Sequence, residues 1–485
     1  MFLTTALPIV AQSSSLSTDE IQVLDPLVVT SAKPGDKPLE VVIDTKAAVQ
    51  PIPAQDGADI LKRIPGFSVG RKGGTGGEVT LRGQAGSRVD LLLDGQSVLG
   101  GCPHRMDPPT AYIFPASFER VTVLKGPQTV LYGPGNSAGV VLFESDPPHF
   151  AKPDATLDAA ATFGSFGRND QSVDVRAGTT LGYAKAGFNR TQSDDYEDGA
   201  GNRVHSQYDR SSVNAALGWT PDANTLLELS GTVSEGEAAY GHSMMDATKL
   251  DRENLALRFR KTAVSSLVAK LEAQLAYNYV DHVMDDFRLR TPGMMPMGES
   301  QLDHRVTTGR GLVELLPNDT LRLNTGLDFQ DGRHRSHDTG SWVTDAAIER
   351  QGAFGEIIQS FSVGDRVIAG LRLDRWRATD QRQMLSGGMM GGMSPNPTAN
   401  ETRSETLAAG FVRYEKDVET ATAYLGIGYT ERAPDYWELI TNQSPGTGSS
   451  FHTGAEKTAQ IDTGVNYRRG AAPRIIRGSR HHDYE

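Results

Sequence analysis

From about residue 155 to 467, apolar and polar positions alternate with a period of two. In Leu271-Glu272-Ala273-Gln274-Leu275-Ala276-Tyr277-Asn278-Tyr279 the odd positions are apolar or aromatic and the even ones mostly polar or small. Leu255, Leu257 and Phe259 alternate with Arg258 and Arg260, and Val367, Ala369, Leu371 and Leu373 repeat the sense. Successive side chains of a strand point to opposite faces, so these segments suit a wall between lipid and a wet lumen. Short turns at 220–224, 317–319, 363–365 and 415–417 are interleaved with long polar loops near 194–205, 236–250, 282–302, 332–351, 376–402 and 431–456. The pattern predicts an all-β, antiparallel transmembrane β-barrel over residues 151–467, with about 14 strands. A soluble β-sandwich is the alternative, but it does not require so strict an alternation.

The N-terminal part reads differently. Residues 35–150 have the pattern of a compact α/β domain. Residues 58–64 fit a short helix that Pro65-Gly66 ends, and 79–83 and 89–95 fit strands. Its glycines form neither a GxGxxG nor a GxxxxGK[ST] pattern, so they are turn formers and not a phosphate cradle. Ahead of it, residues 24–34 hold a β-prone island, Leu27-Val28-Val29-Thr30, followed by Pro and Lys. Such a peptide is either an edge strand or a mobile segment able to add to another protein's sheet. Residues 1–23 carry an apolar stretch and an Ala-ended site like those of a secretory signal, without the basic start, which points to an origin upstream.

Composition narrows the classes. No run of eighteen apolar residues occurs, which excludes a membrane-spanning helix and leaves a barrel open. The formal net charge of -12 argues against nucleic acid, whose phosphates require a basic face. Cys102 is the one cysteine in 485 residues, so it is a free thiol or a ligand. No nucleophile and base pair of catalytic spacing accompanies it, and the chain is not expected to be an enzyme.

Cys102 and Met106 lie four residues apart in Gly101-Cys102-Pro103-His104-Arg105-Met106. Pro103 suits the start of one helical turn, which would bring both sulfurs to one face. A thiolate and a thioether are soft donors that select copper over magnesium, calcium or manganese. Taken alone, the pattern is more often a turn whose Cys and Met merely pack.

The island ending in Val28-Val29-Thr30 is followed in order by Leu61-Lys62-Arg63-Ile64-Pro65-Gly66, Leu81-Arg82-Gly83, Leu93-Asp94-Gly95, and Val123-Leu124-Lys125-Gly126-Pro127 through Leu131-Tyr132-Gly133. This series resembles the plug of TonB-dependent outer-membrane receptors. Any one motif is weak; five in order are specific. Thr430-Glu431-Arg432-Ala433-Pro434-Asp435-Tyr436-Trp437-Glu438-Leu439 and Glu456-Lys457-Thr458 resemble late barrel landmarks of the same family. The insertion around Cys102 is similar to that of the family's copper receptors, of the OprC/NosA type. The resemblance implies an outer-membrane copper importer of a Gram-negative bacterium, set in outer-membrane lipid and energised by TonB through Leu27, Val28, Val29 and Thr30. It further implies a copper site made by Cys102 and Met106 with a His-x-Met of a barrel loop, for which His242 and Met244 are the match. A His-x-Met in a polar loop is otherwise just exposed loop.

Met284, Met294, Met295 and Met297 lie in or beside one long loop and Met384, Met389, Met390 and Met393 in another, either as secondary copper-capturing groups or as flexible filler. The family barrel has about 22 strands, so about fourteen would leave two open edges in lipid, where unpaired backbone is costly. Residues 468–485 carry no alternation and no terminal aromatic, as expected of a tail read in a shifted frame, which makes His481 and His482 accidental. Two rival functions share this plan: a receptor for an iron siderophore or haem, and a non-transporting surface metal-binding protein.

Overall fold

A computed structural model of the chain describes residues 33–34, 38–47, 53–102, 104–133, 136–294, 296–338, 340–386, 393–418, 420–440 and 450–467. Its N-terminal part is an α/β plug. A mixed sheet contains β1 (Glu40–Asp44), β4 (Val89–Leu93), β5 (Arg120–Lys125) and β6 (Gly139–Glu144), and a smaller sheet contains β2 (Phe67–Arg71) and β3 (Gly77–Leu81). Only the β4 and β6 pair runs parallel in the mixed sheet. Helix α1 (Gly57–Leu61) starts where the Asp56 carboxylate accepts a bond from the Asp59 amide, the expected N-cap chemistry. It is shorter than the helix expected at 58–64, because the Ile64 amide bonds to the Leu61 carbonyl in a tightening turn ahead of Pro65. Leu61, Ile64, Leu81, Val121, Val123, Val141 and Phe143 pack between the sheets as the plug core.

Among the described residues beyond 150, one antiparallel sheet of fourteen strands dominates, as expected, beside two short hairpin ladders. Its strands are β7 (Asp154–Phe163), β8 (Asn169–Thr179), β9 (Gly182–Ser193), β10 (Tyr208–Trp219), β11 (Thr225–Ala238), β12 (Asp246–Thr262) and β13 (Val268–Asp285). They continue as β14 (Glu299–Asn318), β15 (Leu321–Asp338), β16 (Ser341–Ser362), β17 (Asp365–Asp380), β18 (Thr402–Val418), β19 (Ala421–Arg432) and β20 (Glu456–Tyr467). Strands β7 and β20 each pair on one side only among the described residues. The sheet curls around the plug: Lys185 of β9 meets Glu119, Arg210 of β10 meets Thr75, Gln274 of β13 meets the Asp94 carbonyl, and Asp462 of β20 meets Arg82.

Three loop expectations change. Residues 332–338 and 341–351 are strand, because β15 and β16 run on to Asp338 and Ser341 with a register shift between His334 and Arg335. Residues 236–238 and 246–250 belong to β11 and β12, and 415–417 lies inside β18. Polar strand ends that rise beyond the membrane read as loop by composition, although their backbone remains in the ladder.

The alternation separates the faces. On β17, Leu371 is 76% exposed while its neighbour Arg372 is 1% exposed and bonded to Asp328 and Asp374. An arginine pointing into lipid near mid-membrane costs about 2–4 kcal/mol. Leu371→Arg is therefore expected to lose about that much stability in urea unfolding from lipid vesicles, and Leu371→Ile to lose almost nothing.

Candidate metal centre

The plug segment from Gly100 to Asp107 is a closed loop. A β-carbon on Gly100 would stand 2.2 Å from the Asp107 carbonyl oxygen, so glycine is required where the loop ends meet. One on Gly101 would come within 3.1 Å of His282 Cβ, which is how closely the loop lies against β13. The buried Asp107 carboxylate accepts bonds from the Gly101 amide (2.6 Å), the Cys102 amide (2.8 Å) and the Tyr112 hydroxyl (2.6 Å). The Arg105 amide bonds to the Cys102 carbonyl at 3.0 Å, and Arg105 has φ +53°. The segment is thus a tight turn that reverses at Arg105, not the expected helical turn; Pro103 lies outside the described residues.

Cys102 is 2% exposed, and its Sγ lies 3.8 Å from the Sδ of Met284. One ring nitrogen of His282, Cys102 Sγ and an Asp107 oxygen all fall within 4.8 Å of one another. His282 is fully buried, and its Nδ1 donates to the Lys249 carbonyl at 3.1 Å. Its Nε2 is buried with no hydrogen-bond partner. A buried polar atom left without a partner costs free energy, and an imidazole grouped with a thiol and a thioether has the makings of a soft-metal ligand. The Lys249 carbonyl fixes the proton on the other nitrogen, as outer-shell partners of metal-binding histidines do. Both Asp107 oxygens already accept bonds from the loop, so its carboxylate shapes the turn.

Met106 is partly buried against the same core, and its carbonyl accepts the Tyr240 hydroxyl at 3.0 Å. His242 and Met244 are not gathered with Cys102. They lie on the loop after β11, where His242 is exposed and Met244 is 58% exposed. The structure brings a second His-x-Met to the thiol instead, His282 and Met284, on a segment expected to open a loop. On β13 the even positions Ala276, Asn278 and Val280 face inward while Leu275 and Tyr277 face out. The same parity carries His282 and Met284 into the lumen. Extending that alternation five residues further would have found them.

Of the loop methionines, Met294, Met297 and Met393 are exposed, which leaves their role open to test, and Met295, Met389 and Met390 lie outside the described residues. So do Leu27, Val28, Val29 and Thr30.

A small α/β domain enclosed by an outward-apolar, inward-polar antiparallel sheet defines a plugged outer-membrane β-barrel. Family models for the TonB-dependent receptor plug domain and the TonB-dependent receptor-like β-barrel match residues 35–140 and 187–472, and the chain belongs to the TonB-dependent receptor family. Among solved structures it is similar to the copper transporter OprC, with 45% identity and a TM-score of 0.87, covering 92% of this chain and 71% of that one. Among curated relatives, the vitamin B12 transporter BtuB of Vibrio vulnificus (strain CMCP6) is 34% identical over 137 residues, 26% of this chain. The hemin receptor of Yersinia enterocolitica is 29% identical over 138 residues, 27% of this chain. The matches span only 22% and 20% of those two relatives' lengths.

Burial, and next to it the Asp107 charge, pushes the Cys102 thiol up to about 12. The sign follows directly: the group is protonated through neutral pH, and its reactive thiolate grows tenfold per pH unit below that value. Iodoacetamide is expected to alkylate Cys102 of the folded, metal-free protein at least about a hundredfold more slowly at pH 8 than a free thiol of ordinary pKa near 8.5, with the rate still rising at pH 10. A plateau near pH 9, read by mass spectrometry, would contradict this environment.

Proposed function

We propose that this chain takes up copper across the outer membrane, gripping the ion between Cys102 and Met106 of the plug and His282 and Met284 of the wall. The observation that carries the reading is the buried group of Cys102 Sγ, a His282 ring nitrogen and an Asp107 oxygen within 4.8 Å of one another, with Met284 Sδ 3.8 Å from the thiol sulfur. Thiolate, thioether and imidazole suit copper, whereas a haem or ferric chelate asks for a large cavity or hard oxygen donors. The likeness to a structure named as a copper transporter supports the same assignment.

Binding requires the Cys102 proton to leave, and the ion compensates for the charge that burial disfavours. The donors sit on two bodies. Cys102 and Met106 move with the plug, while His282 and Met284 stay in the wall, so inward displacement of the plug halves the ligand set and loosens the ion. The pull is assigned to TonB acting on Leu27, Val28, Val29 and Thr30. Deleting residues 25–31 is expected to leave copper binding unchanged and to abolish copper accumulation by cells.

Cys102→Ser, His282→Ala and Met284→Leu are each expected to weaken Cu(I) binding by at least about tenfold, 1.4 kcal/mol, in competition with a chromophoric chelator. His242→Ala with Met244→Leu should leave it unchanged. Binding that survives loss of His282 but not of His242 would return the site to the outer loop. Uptake of an iron chelate or haem that is indifferent to Cys102→Ser would favour the rival receptor.

A further inference from the structure

We infer that His304, His334 and Trp437 are positioning residues that latch the cysteine loop to the barrel wall, so that the metal centre can come apart only when this latch lets go. Three consecutive carbonyls of the loop each meet a donor from a different element. Nδ1 of His304, on β14, donates to the Gly100 carbonyl at 3.2 Å. Nε2 of His334, on β15, donates to the Gly101 carbonyl at 2.7 Å. The indole nitrogen of Trp437, in helix α2 (Tyr436–Ile440), donates to the Cys102 carbonyl. With Asp107 holding the Gly101 and Cys102 amides, the polar backbone of both residues is fully engaged, from the plug on one side and from the wall on the other.

The latch is itself braced. His334 stacks on Tyr436 with ring centroids 3.8 Å apart, and its Nδ1 lies 3.0 Å from an Asp345 oxygen. Trp437 lies under the Arg105 guanidinium, 4.4 Å from its ring centroid, and Arg105 bonds to Asp435 just ahead of α2. Side chains locked by their own partners hold what they touch within narrow limits, as a metal centre needs. None of the three donors belongs to the proposed ligand set. Their contact is with the backbone that aims the thiol, at the place where plug and wall must part. The functional consequence rests on the copper reading; the latch itself does not.

Two measurements on the full-length protein separate these. Because Cys102 is the sole thiol, its alkylation by N-ethylmaleimide without metal reports the latch alone. Trp437→Phe, which keeps the ring and loses the donor, and His334→Ala are expected to label at least tenfold faster than the unmodified protein, while thermal unfolding of the barrel is unchanged. His334→Gln, whose amide can still donate to Gly101, is expected to restore slow labelling. The second measurement is transfer of bound Cu(I) to a chromophoric chelator, expected to be at least fivefold faster in Trp437→Phe and His334→Ala. Trp437→Phe decides should His334→Ala fail to assemble. Labelling at the unmodified rate in Trp437→Phe and His334→Ala overturns the latch. Fast labelling in a protein that never held copper leaves the latch standing and removes the copper reading.

Discussion

The Asp107 carboxylate is the group on which the centre depends. It is buried and accepts three bonds, two of them from the amides that flank the thiol. Without it those buried amides would be left without partners at about 1–3 kcal/mol each, and the loop would lose the bonds that tie its end to its start. The close approach of Gly100 to Asp107 and of Gly101 to His282 follows from that closure. So does the placement of Cys102 Sγ against Met284.

The fold was almost wholly legible in the sequence because both of its rules are local. Strand parity in residues 154–467 reports which medium each face meets, and the plug motifs mark turns whose glycines and prolines have few alternatives. Of the proposed site, Cys102 and Met106 were legible for the same reason, being four residues apart. His282 and Met284 were not. A His-x-Met in a polar stretch looks alike on a loop and on a strand end that rises above the membrane, and His242 stood in the more loop-like setting. What distinguishes His282 is its phase relative to Ala276 and Asn278, which depends on where the strand stops. Asp107, His304 and His334 act through contacts across 5 to more than 200 residues of chain, which no spacing rule reports.

In the proposed site, division of the donors between two bodies would reconcile tight binding with delivery. An affinity set by four converging groups is a property of their arrangement, and each group alone is ordinary. The interior of the barrel is wet and polar around the plug, with contacts such as Gln274 to the Asp94 carbonyl and Thr129 to Glu356. Such contacts exchange with water at small net cost, whereas Val130 packed among Leu312, Phe354 and Phe411 is an apolar contact between plug and wall.

The pairing of β12 with β13 sets Leu250 opposite His282 and Ala247 opposite Met284, with a bulge between Ala247 and Lys249. Side chains invert with every single-residue slip along a ladder. An insertion of one residue inside β13 ahead of His282 would therefore turn the imidazole and the thioether outward, away from the lumen. The donor set of the proposed site thus rests on the odd or even count of residues within β13.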